Sequence, residues 1–309
     1  MHFLKILELI EGAKEASSSN FISAVDGVLT LLSAEQNYTE NFTITNHLVT
    51  MKPSGEALVI GDLHGSLESL KTILETSDYV EKMHSTKDSK LIFLGDYGDR
   101  GDESAEVYIV ALQLKLGFPS QVVLLRGNHE APPNLMASPH DMSNQFLIRF
   151  GENGPLVYRK TLTLWSHLYN AVYVPNRFLM VHGGISSNIS SLKDIADAEE
   201  NSNDALLEDL LWSDPEEDVL GTVSSPRGAG ELFGKAVTED VLEKLKVKIL
   251  IRGHEASEFG YKINHGSKIL TLFSRKGLPY YNENGAYLRV PLLKKFEDAT
   301  ELVPFVYKI

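Results

Sequence analysis

Five short apolar runs in this 309-residue chain each end on a cluster of Asp, His, Asn and Arg, and that repetition narrows the folds open to it. Glu56-Ala57-Leu58-Val59-Ile60 leads into Gly61-Asp62-Leu63-His64-Gly65, and Lys90-Leu91-Ile92-Phe93-Leu94 into Gly95-Asp96-Tyr97-Gly98-Asp99-Arg100-Gly101. Val122-Val123-Leu124-Leu125 leads into Arg126-Gly127-Asn128-His129-Glu130, Phe178-Leu179-Met180-Val181 into His182-Gly183-Gly184, and Val247-Lys248-Ile249-Leu250-Ile251 into Arg252-Gly253-His254. Runs this short and this rich in β-branched residues read as buried strands. Ligand sites of α/β sheets lie beyond the carboxyl ends of their strands. Polar side chains from five separate places are therefore delivered to one rim. Helical spacing follows two of the clusters, with Leu67, Leu70, Ile73 and Leu74 on one face and a second apolar helix over residues 106–116. Strand, ligand loop and helix in succession are the grammar of an α/β fold.

The residues at the rim suit metal ions. Asp62 and His64, two apart in an extended loop, are expected to point the same way and grip one cation together. Asp96 supplies a carboxylate able to bridge two ions, Asn128 an amide oxygen, and His182 and His254 imidazoles. The chain has no cysteine, so thiolate ligands and disulfides are excluded. Carboxylate, amide and imidazole without sulfur suit manganese, iron or zinc better than calcium. Two such ions roughly 3.5–4 Å apart clamp a phosphoryl group and lower the pKa of a shared water. Singly, each motif has a bland reading: Gly-Asp-x-His-Gly can be a turn with a capping Asp. Their joint occurrence, in order and each at a strand end, does not. His2, His47, His84, His140, His167 and His265 lack such contexts and read as structural or surface residues.

These motifs, together with Leu211-Trp212-Ser213-Asp214-Pro215, resemble the signature of the phosphoprotein phosphatase family of metallophosphoesterases, similar to the type 1 and type 2A serine/threonine enzymes. The resemblance covers about residues 58–286. It implies an α/β metallophosphoesterase β-sandwich, two mixed sheets flanked by helices with the site at the strands' carboxyl ends. It implies that Asp62, His64 and Asp96 hold one divalent ion and Asp96, Asn128, His182 and His254 a second, manganese being the expected metal with iron or zinc as alternatives. The implied reaction is hydrolysis of phosphoserine and phosphothreonine in proteins by a metal-bridged hydroxide. Dinucleoside polyphosphates are the alternative substrate for the same ions.

An alkoxide is a poor leaving group, so release of serine or threonine needs a proton donor. His129, next to Asn128 and diverging from it, is the candidate, with Asp99 as the carboxylate that holds it protonated. The resemblance implies these roles as well. Arg100 can reach the phosphate, and guanidinium matches phosphate oxygens in pairs. The family's second arginine falls by spacing on Arg227, ahead of Phe233-Gly234. Arg126 and Arg252 read as structural ion-pair partners. Two departures stand out. Gly98 replaces a β-branched residue, an exchange expected to loosen its loop. The late loop Ser274-Arg275-Lys276-Gly277-Leu278-Pro279-Tyr280-Tyr281 is longer and more basic than in relatives, and either Tyr280 or Tyr281 could face the site.

Composition sets the outer bounds. Hydrophobic residues make up 43% and charged residues 23%, ordinary for a globular protein. A formal charge of -13 disfavours nucleic acid as a partner. No apolar stretch is long enough for a membrane helix and the N-terminus lacks a signal-peptide core, so a cytoplasmic location is expected. Phosphorylated proteins are the expected partners, with regulatory subunits unspecified. Because the ligand positions run from Asp62 to His254, one catalytic domain over residues 1–309 must unite them, with residues 1–50 as an N-terminal helical region packed on it. Residues 186–204, rich in Ser, Asn, Asp and Glu, read as a surface loop or insertion, and no regulatory tail is expected after the last strand.

Overall fold

The computed structural model describes residues 5–35, 40–199 and 204–309. Two mixed sheets carry the fold. The smaller runs, edge to edge, Val306–Lys308, Ala286–Pro291, Glu56–Ile60, Ser89–Phe93 and Val122–Leu124, with the last three strands parallel. The larger runs Phe42–Thr45, Leu48–Met51, Ala171–Val174, Phe178–Val181, Ile249–Arg252, Ile269–Leu272 and Tyr261–Asn264. A third, three-stranded sheet, Asp214–Pro215, Glu231–Phe233 and Thr222–Ser224, was not expected.

The apolar runs follow from double burial. In the larger sheet Phe178 and Met180 belong to one core cluster and Leu179 and Val181 to the other; Ile249 and Ile251 alternate with Leu250 in the same way. With period-two geometry, each run has one face against the smaller sheet and the other against helices Asp204–Trp212 and Lys235–Lys244. The two sheets touch at their ends, where Asp62 bridges Phe273 and Leu125 bridges Tyr169. Ser66 caps helix Leu67–Ser77 by accepting from the Ser69 amide at 3.3 Å, and Ser104–Gly117 follows the second ligand loop. No helix among the described residues is long and apolar enough to cross a membrane.

Two expectations need correction. Residues 1–50 are helical only in part. Helices Ile6–Glu15 and Ser18–Ala34 pack on Ser104–Gly117, but Phe42–Thr45 and Leu48–Met51 form a hairpin in the larger sheet, while residues 1–4 and 36–39 lie outside the described set. Phe42 and Ile44 are buried and alternate with exposed Thr43 and Thr45, and Asn46 takes the left-handed turn position (φ 51°). Helical spacing is absent there. Second, residues 186–199 are no surface loop: Ile189, Ile195, Ala196 and Ala198 are buried in the second cluster, and a helix runs Leu192–Ala196. Several of their polar residues stay exposed and serve as caps, with Asp194 accepting from the Ser190 and Ser191 amides; residues 200–203 lie outside the described set. Towards the end of the chain, Ala299–Phe305 forms a 3-10 helix containing Pro304 and Val306–Lys308 the edge strand of the smaller sheet.

Candidate metal centre

The ligand loops are stitched to one another through their backbones. The amides of Leu63 and His64 both donate to the Asp96 carbonyl (3.0 and 2.9 Å), and the Gly253 amide donates to the His182 carbonyl (2.9 Å). The Glu130 carboxylate accepts from the amides of Asp96 (2.8 Å), Tyr97 (3.1 Å) and Gly127 (3.0 Å) and from the Tyr108 hydroxyl (2.7 Å). It fixes two loops at once. Gly95, at φ 106°, permits a close approach of the two loops, since a Cβ there would lie 2.4 Å from the Gly127 nitrogen. His64, Asp96, Asp99, Arg100 and His254 all have positive φ, so five non-glycine residues of this rim occupy sparsely populated backbone. The expected extended stretch from Asp62 to His64 is therefore absent: His64 sits at φ 44°, and it meets Asp62 because the loop turns, not because alternate residues share a face.

Asp96 is central. Its Oδ2 lies 3.3 Å from His64 Nε2 and its Oδ1 3.5 Å from His182 Nε2, one oxygen towards each side. Asp62 Oδ2 lies 3.7 Å from His64 Nε2 and has no hydrogen-bond partner, while Asp62 Oδ1 accepts from the His254 amide at 2.8 Å. The ligand atoms of Asp96, His182 and His254 fall within 4.8 Å of one another. His64 Nδ1 is committed to the Gly98 carbonyl (3.2 Å) and His182 Nδ1 to that of Leu94 (3.0 Å), which leaves each Nε2 lone pair turned inward. His254 Nε2 is buried without a hydrogen-bond partner among the described residues, and Asp214 Oδ1 lies 3.9 Å from it. The Asn128 amide faces both Asp96 oxygens (3.0 and 3.2 Å) and His182 Nε2 (3.0 Å). Turned one way, its NH2 donates to them; turned the other, its oxygen joins three acceptors, an arrangement that a cation stabilises.

Charge tells the same story. Burial pushes the Asp62 carboxyl up to about 7, and burial with the charges of Asp62 and Glu130 pushes Asp96 well above the usual range. Burial holds His64, His182 and His254 well below the usual imidazole value, reinforced by neighbouring imidazoles and by Arg100 near His64 and Arg227 near His254. Neutral imidazoles and strained carboxylates converging on one space, with orphaned oxygens and nitrogens, fit two divalent cations.

His129 lies beside the ligands, in a single 3-10 turn over residues 128–130, with a ring nitrogen within 4.8 Å of ligand atoms of His64 and Asp96. His129 Nδ1 meets Asp99 Oδ2 at 2.5 Å, and Asp99 Oδ1 accepts from the amides of Asp141 (3.0 Å) and Arg100 (3.2 Å). Burial opposes ionisation of Asp99, but the imidazoles of His129 and His140 beside it hold its carboxyl well below the usual range. Arg100 lines the same cleft of about 870 Å³, and its guanidinium has no acidic partner among the described residues. Arg227 lines it too, tethered by Nε to Asp214 Oδ2 at 2.6 Å; Asp214 Oδ1 holds Arg252 at 2.8 Å. Arg126 and Arg252 are buried ion-pair partners of Glu199, Glu255 and Asp214, outside the cleft. Of the two tyrosines, Tyr280 faces the site, stacked on His64 at 5.3 Å, whereas Tyr281 is 82% exposed. Gly98 does not loosen its loop: a Cβ would sit 2.7 Å from Met142 Cε and 3.0 Å from Ser104 Cβ, so the missing side chain's room is taken. Sequence reasoning passed over Glu130, Asp214 and His140. The first two stood inside recognised motifs without a role; His140 had only its neighbour Asp141, whose amide reaches Asp99, as a signal.

Residues 56–258 match the calcineurin-like phosphoesterase family. The chain is 34% identical over 225 residues to the serine/threonine-protein phosphatase 4 catalytic subunit of Saccharomyces cerevisiae, covering 72% of this chain and 70% of that one. It is 30% identical over 291 residues to the corresponding phosphatase 4 catalytic subunit of Kluyveromyces lactis, with 93% and 88% covered. A probable serine/threonine-protein phosphatase of Encephalitozoon cuniculi is 34% identical over 84% of this chain, which spans 55% of that protein's length. In three dimensions the fold matches a Saccharomyces cerevisiae serine/threonine phosphatase at a TM-score of 0.73 and 23% identity, over 89% of this chain and 83% of that one. The chain belongs to the calcineurin-like phosphoesterases and, within them, to the phosphoprotein phosphatase family.

Proposed function

We propose that this chain is a serine/threonine protein phosphatase working with two divalent ions, manganese being the expected pair. The observation that carries the reading is the single cleft in which Asp96 presents one oxygen to His64 and the other to His182 while the Asp99-paired His129 lines the same wall. Asp62, His64 and Asp96 would hold one ion and Asp96, Asn128, His182 and His254 the other. When bound, such ions polarise the phosphate and ionise water near neutral pH. Arg100, without an acidic partner among the described residues, and Arg227, aimed by Asp214, would bind the equatorial phosphate oxygens and stabilise charge in the transition state. His129 uses Nδ1 on Asp99, which leaves Nε2 to give its proton to the serine or threonine oxygen as the P–O bond breaks. Tyr280 stacks on His64 at the wall of the cleft.

Relatives bearing serine/threonine-phosphatase names favour protein substrates over dinucleoside polyphosphates. Two of them are catalytic subunits by name, which favours regulatory partners here as well. Turnover of a phosphoserine peptide and of a dinucleoside tetraphosphate, with added manganese, tests the reading. Preference for the peptide is expected; preference for the tetraphosphate would replace it with the alternative.

A further inference from the structure

Asp99 faces a second imidazole. His140 Nδ1 lies 3.1 Å from Asp99 Oδ2, the oxygen that His129 Nδ1 meets at 2.5 Å. His140 Nδ1 makes no hydrogen bond, to Asp99 or to any other described group, so its approach to that oxygen is a charge contact, and its side chain is 11% exposed. The opposite nitrogen, Nε2, lies 3.1 Å from the Tyr158 hydroxyl, on helix Gly154–Trp165. Trp165 meets the ring edge-on at 5.9 Å. His140 does not line the cleft, so it cannot touch a phosphate held there. The next residue, Asp141, gives its amide to the other Asp99 oxygen. One segment thus engages both oxygens of the carboxylate, and helix Gly154–Trp165 backs that segment through Tyr158.

A carboxylate on a rim of left-handed backbone can rotate about its last torsion unless each oxygen is restrained. The Asp141 and Arg100 amides restrain Oδ1; His140 is the side chain besides His129 that faces Oδ2. We propose that His140 is a positioning residue: by holding Asp99 it fixes the direction in which the Asp99–His129 pair aims its proton at the leaving oxygen. The inference rests on His129 being the proton donor. A purely structural His140 would affect all substrates alike. A positioning His140 would matter in proportion to how much the leaving group needs protonation, greatly for phosphoserine and little for an aryl phosphate.

The test uses the full chain loaded with manganese and measures kcat on a phosphoserine peptide and on p-nitrophenyl phosphate. Variants are His140→Ala, His140→Asn, Tyr158→Phe, His129→Asn and the double variant His129→Asn with His140→Ala. His140→Ala should lose about 10- to 100-fold on the peptide, the usual cost of removing a partner that orients a reacting group, and severalfold less on the aryl ester. His140→Asn, whose amide can stand in for Nδ1–H, should recover most of the peptide activity. Tyr158→Phe should show a smaller loss with the same bias. Adding His140→Ala to His129→Asn should cost nothing further on the peptide. Equal losses on both esters, no rescue by Asn, or additivity in the double variant would overturn the inference while a leaving-group bias in His129→Asn leaves the phosphatase reading standing. If His129→Asn itself shows no bias, both fall.

Discussion

Asp96 and Asp99 sit on one loop, three residues apart, both buried, and their surroundings are opposite. Asp96 accepts one backbone amide, that of His129 at 3.1 Å, but otherwise faces imidazole lone pairs, the Asn128 amide and a second carboxylate, and its carboxyl is pushed well up. Asp99 faces two imidazoles and two backbone amides, and its carboxyl is held well down. The first still lacks positive charge; the second already has its donors. The difference teaches which carboxylate is suited to ions and which to a proton. Environments that drive neighbouring carboxyls apart mark distinct roles for each.

Replacing Asp96 should do the most damage, because it serves both proposed ions. Asp96→Asn should lose several kcal/mol of transition-state stabilisation, about a thousandfold or more in kcat/KM, together with bound manganese measured by elemental analysis. Retained metal and activity would erase the contrast with Asp99. His129→Asn should cost about 10²–10⁴-fold on phosphoserine peptides and far less on aryl phosphates, read from steady-state rates on the two esters. Arg100→Ala should cost about 10²-fold in kcat/KM on both esters alike, since phosphate oxygens are common to them.

The pH dependence sharpens the comparison. A carboxyl raised in the folded state keeps its proton below that raised value, so ions must displace it. Asp62, raised to about 7, takes up its proton as pH falls through that value, whereas burial favours the neutral form of His64, His182 and His254. Manganese affinity should therefore fall as pH drops through 7, with more protons released per ion at pH 6 than at pH 8.5, measured by calorimetry in buffers of different ionisation enthalpy. The smallest expected effect is Gly98→Val. It should leave Asp99 chemistry in place and lower stability by about 1–3 kcal/mol through crowding against Met142 and Ser104, read from denaturant unfolding.

The strands behind the ligands were legible because both their faces are buried, which makes them continuous apolar runs ending abruptly on polar residues. The ligands themselves were legible because few other residue types can do their work. What hid was of another kind. The hairpin at residues 42–51 is signalled only by short alternation and one left-handed Asn, which the adjoining helices outweighed. His64 reaches Asp62 by a turn in strained backbone that no pattern of residue types encodes. Glu130 braces the loops through main-chain amides, whose positions exist only once the chain has folded. His140 is contributed by a segment without a motif, and Tyr280 could be told from Tyr281 only by the path of the late loop.

Anomalous diffraction from manganese-soaked crystals probes the contrast at its source. Two manganese peaks should appear, with the carboxylate of Asp96 touching both and that of Asp99 touching neither. A single peak, or a peak against Asp99 in place of Asp96, would contradict the account.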